Sequence, residues 1–314
     1  MQNNLPFKNI FAIVNPKSGN GFALKHWSII KTLIEQEIGC FEFAFTQGPG
    51  HATSLASDAC YQSRDLVISI GGDGTNNEIV NGLMACRPNT STPTLAFIPC
   101  GCGCDLAKNF RIGRRIKGAI EKIAQGTIDK IDVFKVIHTD SEGEKVARFG
   151  LNITSFGIGG LVDRLANAST KKLGGRVSFV ISILKALSQY KNQQVRVSFD
   201  NGNLEEMVIN NVVIANSRYF GGGLLIAPEA EIDDGLFDVV ILGDLSKFEV
   251  ILNWPKAYYG KHLSHPKVHH LRSKTIFAEP MNPRDEILID LDGESSGRLP
   301  ATFEIIPKVL PVLF

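Results

Sequence analysis

Residues 66–83 read LVISIGGDGTNNEIVNGL, and the order of residue types describes a site for anionic groups. A short apolar run rich in β-branched residues stops at Gly71-Gly72-Asp73-Gly74. Thr75, Asn76 and Asn77 then open a helical pattern through Ile79, Val80 and Leu83. Such a run is the signature of a strand buried on both faces of a parallel sheet. Thr75 precedes Glu78 by three residues, a spacing that predicts a capping box at the helix start. Glycines let the backbone approach a ligand closely, and the unpaired amides at a helix N-terminus favour phosphate. Asp73 would repel a phosphate directly, so its place in the turn predicts a divalent cation or a sugar hydroxyl beside it. The expected chemistry is a nucleotide-phosphate site that uses a metal.

Two acidic clusters lie later in the chain. Glu231-Ile232-Asp233-Asp234-Gly235-Leu236 precedes an apolar run, and Asp290-Leu291-Asp292-Gly293-Glu294 ends one. Both read first as acid-rich turns. In an extended chain Asp292 and Glu294 project to the same side, where two carboxylates can take a proton from an alcohol and hold a cation. Cys100, Cys102 and Cys104 form C-x-C-x-C, which is not a zinc spacing, so they read as reduced thiols in a tight loop. His262, His265, His269 and His270 lack a carboxylate partner at a metalloprotease spacing and read as solvated loop histidines. No G-x-x-x-x-G-K-[ST], no G-x-G-x-x-G after a strand and no G-x-S-x-G is present.

The elements that must position these groups follow from periodicity. At 314 residues the chain is about two domains long, at roughly 150 residues each. Strands are expected at 10–14, 41–46, 66–70 and 95–98, alternating with helices at 22–38, 51–61, after residue 73 and from Leu106. That alternation predicts a doubly wound α/β domain with a parallel sheet, whose strand-to-helix turns converge at the carboxyl edge. From residue 133 the runs 134–138, 146–154, 195–199, 207–215, 237–242, 268–277 and 287–291 read as antiparallel strands, with Asp200-Asn201-Gly202-Asn203 a hairpin signal. Helical patterns interrupt at 161–190 and 246–260. The expected division is a nucleotide-binding domain at 1–132, to which 302–314 returns, and a mostly-β, sandwich-like substrate domain at 133–301.

The formal net charge of +1 and scattered Lys and Arg give no support to nucleic-acid binding. The apolar stretch 177–187 is interrupted by Ser178, Ser182 and Lys185 and falls short of the roughly 20 residues that span a bilayer. A cytoplasmic protein, peripheral at a membrane, is expected. For that contact the helix over 177–190 is a candidate, with Phe179, Val180, Ile183, Leu184 and Leu187 on one side. Oligomeric state is not readable, a homodimer being one option.

Taken together, these motifs resemble the diacylglycerol kinase catalytic family over essentially the whole chain. Val14-Asn15-Pro16-Lys17-Ser18-Gly19 is similar to the family's first nucleotide loop. Gly71-Gly72-Asp73-Gly74-Thr75, with Asn76, Asn77 and Glu78, is similar to its central motif. Thr46, ahead of Gly48-Pro49-Gly50-His51, stands where the family has a threonine near the adenosine. Asp233-Asp234-Gly235 resembles the segment that holds a structural magnesium, which implies Glu231, Asp234 and Leu236 as ligands. Asp292-Gly293-Glu294 resembles the acidic motif that carries the general base, without choosing between the two acids. The resemblance implies a nucleotide domain and a β-sandwich domain, and an ATP- and Mg2+-dependent kinase transferring a γ-phosphoryl group to a lipid hydroxyl of diacylglycerol or sphingosine type. Asp73 would act through magnesium.

One loop departs from the family pattern. Pro-x-Gly-Thr-x-Asn-Asp is replaced by Pro99-Cys100-Gly101-Cys102-Gly103-Cys104-Asp105, so that Cys102 stands for threonine and Cys104 for asparagine. A thiol is a weaker hydrogen-bond partner than a hydroxyl or amide, and one such loss is worth on the order of 1 kcal/mol. The expectation is a tuned kinase. The alternatives are an NAD-kinase-like enzyme with a soluble acceptor and a non-catalytic nucleotide-binding regulator.

Overall fold

The chain was analysed as a computed structural model that describes residues 6–86, 92–168 and 175–314. It divides into two compact units, Met1–Ile131 with Lys308–Phe314, and Asp132–Pro307.

The first unit is an α/β layer structure. The strands Ile10–Val14, Glu42–Phe45, Leu66–Gly71 and Thr94–Pro99 are all parallel, and the end of the long strand Glu294–Leu313 adds a fifth through Val312 opposite Leu95. The spatial order runs from that last strand through Thr94–Pro99, Leu66–Gly71 and Ile10–Val14 to Glu42–Phe45. Every residue of Leu66–Gly71 and Thr94–Pro99 is buried, as the uninterrupted apolar runs require of strands covered on both faces. On one face Ala12, Val14, Ile68, Ile70, Ala96 and Ile98 pack with Ile30 and Ile34 of the helix Trp27–Glu37 and with Ile120 and Ile123 of the helix Ile116–Gln125. Phe314 exchanges backbone hydrogen bonds with Thr127 and packs its ring on Phe110, so the last residues are stitched into this unit.

The helix expected over 22–38 is interrupted. Gly19, Asn20 and Gly21 have φ of +59°, +60° and +87°, and helical geometry is broken again at His26 before Trp27–Glu37 begins. Two glycines around an asparagine make this left-handed path accessible. A disulfide joins Cys60, in the helix His51–Tyr61, to Cys86, just beyond the helix Asp73–Met84. Sequence spacing gave no sign of it.

The second unit is antiparallel and sandwich-like. One set of strands runs Val268–Ser273, Phe237–Leu242, Asn211–Ala215, Ile153–Gly157, Leu288–Leu291 and Glu294–Leu313. A second set pairs Glu294–Leu313 with Thr275–Pro280, then Gln193–Phe199, then Glu205–Ile209. Phe156, Ile214, Phe237 and Ile289 from the first set meet Val195, Val197, Ile276 and Phe134 in one core. The hairpin signal is real: Asp200 and Asn201 have φ of +49° and +60° between two paired strands.

Three runs expected to be single strands are each split in two. The run 146–154 divides into Lys145–Gly150 and Ile153–Gly157, 207–215 at Asn210, and 268–277 at Lys274. At Asn210 the backbone N–H lies within reach of the carbonyls of both Leu242 and Gly243, and at Lys274 it donates to the Asp200 carboxylate, so each leaves the ladder. The helical pattern 161–190 gives Ile158–Ala168 and Gly175–Gln189.

Candidate functional site

In the first unit the three glycine-bearing turns pack on one another. Gly72 precedes the helix Asp73–Met84, and a methyl group on it would come within 3.1 Å of the Gly101 Cα; one on Gly101 would come within 2.6 Å of the Gly72 Cα. A side chain on Gly19 would collide with the carbonyl oxygen of Cys100. The first, central and third loops therefore approach closely only as glycine. Asn15 Nδ2 donates to Thr75 Oγ1 at 2.9 Å and Asn15 Oδ1 accepts the amide of Lys17, tying the first loop to the central helix. Ser18 is buried, Lys17 is exposed, Pro16 is half-buried, and the Thr46 amide donates to Val14 beside this loop.

The capping box expected between Thr75 and Glu78 is not formed. Thr75 lies inside the helix, whose N-cap Gly72 has no side-chain cap, and Glu78 reaches outward. Its carboxylate accepts the amides of Gly50 and Ala52 at 2.9 and 3.1 Å, capping the neighbouring helix His51–Tyr61 instead. The central helix thus keeps its first amides unoccupied by a side-chain cap, which suits an anion site. Asn76 and Asn77 are buried, with Asn76 Oδ1 accepting Ser69 Oγ at 2.6 Å and Asn77 Oδ1 accepting Asn81 Nδ2 at 3.1 Å.

Asp73 accepts the amide of Asp105 through Oδ2 at 3.1 Å, and its Oδ1 lies 3.3 Å from the amide of Leu106. A methyl group on Gly103 would lie 3.1 Å from Asp73 Oδ2 and 3.7 Å from Asp105 Oδ2, so the two carboxylates converge beside this glycine. Lys108 Nζ lies 2.5 Å from Asp105 Oδ1. Asp73 and Asp105 are hard oxygen donors of the type magnesium takes, with the Lys108 ammonium as the positive charge beside Asp105.

In the third loop Cys104 sits at φ +51°, the left-handed region, with Sγ 3.3 Å from the Gly101 carbonyl. Burial pushes the Cys100 thiol up to about 11, and burial with the Asp73 charge pushes Cys104 up to about 12. Both are neutral thiols near pH 7, whereas Cys102 is exposed. Arg114 Nη2 donates to the carbonyls of Cys102 and Gly103, a clamp that sequence reasoning missed because Arg114 lies nine residues beyond the motif.

In the second unit the extended geometry expected at Asp292-Gly293-Glu294 is overturned. Asp292 and Gly293 have φ of +50° and +87° and make a two-residue turn, with Leu291 and Glu294 facing each other across the ladder. Asp-Gly is the sequence preference of this hairpin turn, and the signal was available. Asp292 is directed back to accept the amides of Leu151, Asn152 and Ile153 at 2.9, 2.9 and 3.0 Å, while Glu294 is exposed. The two acids have different environments.

Behind the turn lies an acid pair that sequence reasoning did not single out. Asp290 accepts from the Gly293 amide at 2.8 Å and from Ser155 Oγ at 3.2 Å, and is hydrogen-bonded to Asp163. Burial lifts Asp290 to about 6. Burial first, and then the charge of Asp290, raise Asp163 well above the ordinary carboxylate range. Both border an apolar cavity of about 130 Å3, walled by Val162, Ile183, Leu187, Val213, Trp254 and others.

His262 and His265 also line that cavity, which corrects the reading of these two as solvated, while His269 and His270 are exposed on the strand Val268–Ser273. His262 is buried, its Nε2 3.0 Å from the Ile226 carbonyl, and burial lowers its basicity. His270 Nε2 lies 2.7 Å from Asp238 Oδ1.

The turn 231–236 is organised by protein groups. The buried Asp132 accepts the Gly235 amide at 2.6 Å, and Asp234 Oδ1 accepts the Leu236 amide at 3.0 Å. The Arg272 guanidinium lies 3.4 Å from Asp234 Oδ2 and 3.5 Å from Asp238 Oδ2, and donates to the Glu229 carbonyl. Glu231 is exposed. Arg272 already supplies positive charge to Asp234. Among the described residues no group of three His, Cys, Asp or Glu is placed to hold a metal.

Comparison with known proteins agrees with this layout. The diacylglycerol kinase catalytic domain matches residues 9–136, and the YegS C-terminal NAD kinase beta sandwich-like domain matches residues 152–314. A curated diacylglycerol kinase of Staphylococcus saprophyticus is 29% identical over 294 residues, covering 93% of this chain and 90% of the relative. One from Bacillus subtilis (strain 168) is 29% identical over 303 residues, covering 93% and 91%. A solved structure of a provisionally named diacylglycerol kinase from Bacillus anthracis str. Sterne superposes with a TM-score of 0.78 at 25% identity, covering 99% of both chains. With both domains matched in tandem, this chain is a kinase that belongs to the diacylglycerol kinase catalytic family.

Proposed function

We propose that this kinase transfers the γ-phosphoryl group of ATP to the hydroxyl of a lipid of diacylglycerol or sphingosine type. The observation that carries the lipid reading is the cavity of the second unit. Its apolar walls suit acyl chains, and its polar side bears Asp163 and Asp290, the latter four residues from the exposed Glu294. A soluble nucleotide acceptor such as NAD would present ribose and phosphates to these same aliphatic walls, burying polar groups without partners.

In this reading the phosphates of ATP lie against the amides that open the helix Asp73–Met84 and against the Asn15-Pro16-Lys17-Ser18-Gly19 loop, with the exposed Lys17 as a point charge. Thr46 contacts the adenosine, and Gly101 and Cys102 of the third loop contribute further nucleotide contacts. Asp73 and Asp105 would hold magnesium, which supplies charge neutralisation of the transferred phosphoryl group. Glu294 accepts the hydroxyl proton. Asp292, with three amides on its carboxylate, anchors the turn and sets the position of Glu294. Domain roles follow: residues 1–132 with 302–314 bind nucleotide and 133–301 bind the lipid.

The test is magnesium-dependent transfer of labelled phosphate from ATP to diacylglycerol, phosphatidylglycerol, ceramide, sphingosine and NAD in mixed micelles. Label on a lipid is expected. Label on NAD alone would overturn the proposal, and ATP binding without any transfer would favour a regulator whose third loop has lost its catalytic contacts.

A further inference from the structure

The helix Lys247–Ala257 has two faces of different use. It is started by a full capping box between Ser246 and Glu249, so its phase is fixed. Val250 and Trp254 pack on Ile183 and Leu187 of the helix Gly175–Gln189, and with Asn253 and Ala257 they line the cavity. On the other side Phe248, Ile251 and Leu252, at i, i+3 and i+4, are 68%, 52% and 57% exposed, and Tyr259 just beyond is 74% exposed. Tyr258 and, on the partner helix, Val180 and Leu184 are exposed as well; the Phe179 side chain lies outside the described residues. Of the fifteen exposed large hydrophobics named among the described residues, seven stand on these two segments. Scattered apolar surface needs no explanation, but this concentration does.

Charge says what kind of surface would cover it. The exposed Lys185, Lys247 and Lys256 stand on the two helices and the exposed Lys191 and Lys261 just beyond them, against Glu249 and the exposed Asp244. Glu249 is itself held by Lys267 at 3.0 Å and by Ser246. The chain as a whole carries only +1. Protruding aliphatic and aromatic side chains flanked by lysines are the composition of an element that lies in an anionic bilayer interface.

We propose that the outer face of the helix Lys247–Ala257, with Tyr258 and Tyr259, docks this protein on an anionic membrane surface, bringing the two cavity-lining helices to the bilayer. This rests on the lipid-kinase reading only for what then enters the cavity. Phe248, Ile251 and Leu252 insert into the headgroup–acyl boundary, and the lysines contact lipid phosphates.

The experiment is co-sedimentation of the full chain with phosphatidylcholine vesicles, with and without phosphatidylglycerol. Binding is expected to the mixed vesicles and to weaken with salt. The triple variant Phe248→Ser, Ile251→Ser, Leu252→Ser should lose at least about tenfold in partition, and each of Lys185→Gln, Lys256→Gln and Lys261→Gln roughly fivefold. All six side chains are exposed and outside the cavity, so melting temperature and turnover on a monomeric, water-soluble short-chain acceptor should hold. Undiminished vesicle binding by the triple variant, or equal binding to both vesicle types, overturns the proposal. So does a dimer in sedimentation equilibrium that the triple substitution dissolves, which would assign the face to a second copy. Vesicle binding that follows these variants while no lipid accepts phosphate would sink the lipid-kinase reading and leave the docking surface standing.

Discussion

Asp73 and Asp105 are joined by a 3.1 Å hydrogen bond from the Asp105 backbone amide to the Asp73 carboxylate, so one side chain of the central loop caps the helix of the third. The acid proposed for cation chemistry is also the brace between the central and third loops. Asp73→Asn places an amide donor where an acceptor faces two N–H groups. We expect a loss of stability of roughly 1.5–3 kcal/mol and a fall in turnover of orders of magnitude. Urea unfolding and phosphoryl transfer measured on the same preparation check both, and a variant normal in each would remove Asp73 from both roles.

Asp292 and Glu294 should separate cleanly. Glu294→Gln, at an exposed position, is expected to keep the wild-type unfolding midpoint and lose about 10²–10⁴-fold in kcat, as removal of a general base does. Asp292→Asn leaves three amides sharing a single acceptor oxygen, so its unfolding midpoint should fall as well as its activity. The opposite assignment of the two phenotypes would make Asp292 the base.

Cys104 occupies a left-handed position that a β-substituted residue other than asparagine adopts at a cost of roughly 1–2 kcal/mol. Cys104→Asn should therefore raise stability by about 1 kcal/mol, read by urea unfolding. Thiol labelling at neutral pH should modify Cys102 and Cys40 and spare Cys100 and Cys104, whose thiols burial keeps protonated. Rapid labelling of Cys104 in the folded protein would contradict its burial.

Asp163 and Asp290 hold protons more tightly folded than unfolded. Their contribution to stability is complete below the ordinary carboxylate value of 3.8 and is lost as pH rises, for Asp290 through about 6. Asp163→Asn needs no proton to be buried. Its stability relative to wild type should therefore climb between pH 4 and 8, as read by the difference between paired urea curves. Parallel curves across that range would mean that the pair is not protonated in the fold.

The Cys60–Cys86 bridge closes a segment with a sequence separation of 26. Chain entropy assigns such a loop about 3 kcal/mol. The Cys60→Ala, Cys86→Ala variant, or the protein in dithiothreitol, should be less stable by that order, as measured by denaturant unfolding. Identical curves with and without reductant would show that the bridge does not form in solution.

The fold was legible where pattern and burial coincide. Leu66–Gly71 and Thr94–Pro99 are buried throughout and mostly apolar because both faces are covered, and Phe237–Leu242 was bounded to the residue. Legibility failed where a side chain serves a distant backbone. Glu78 and Asp73 each cap a helix other than their own, and nothing in the spacing of Thr75 and Glu78 reveals that Gly50 is the partner. The breaks at Asn210 and Lys274 likewise come from cross-strand partners that no local window contains. Asp163 was invisible as chemistry because a single acid on an amphipathic helix looks solvated; only the fold brings Asp290 beside it.

The strand Glu294–Leu313 places Val312 beside Leu95, and Phe314 is bonded to Thr127. During synthesis the first 131 residues therefore emerge without the strand that completes their sheet, and the 176 residues from Asp132 to Pro307 must be made before it arrives. Until then the mostly apolar edge of Thr94–Pro99 has no partner on that side and is open to pairing with another chain. The first unit is thus a folding client of the strand Glu294–Leu313, and a nascent chain stalled before residue 308 would expose an aggregation-prone edge that this strand conceals.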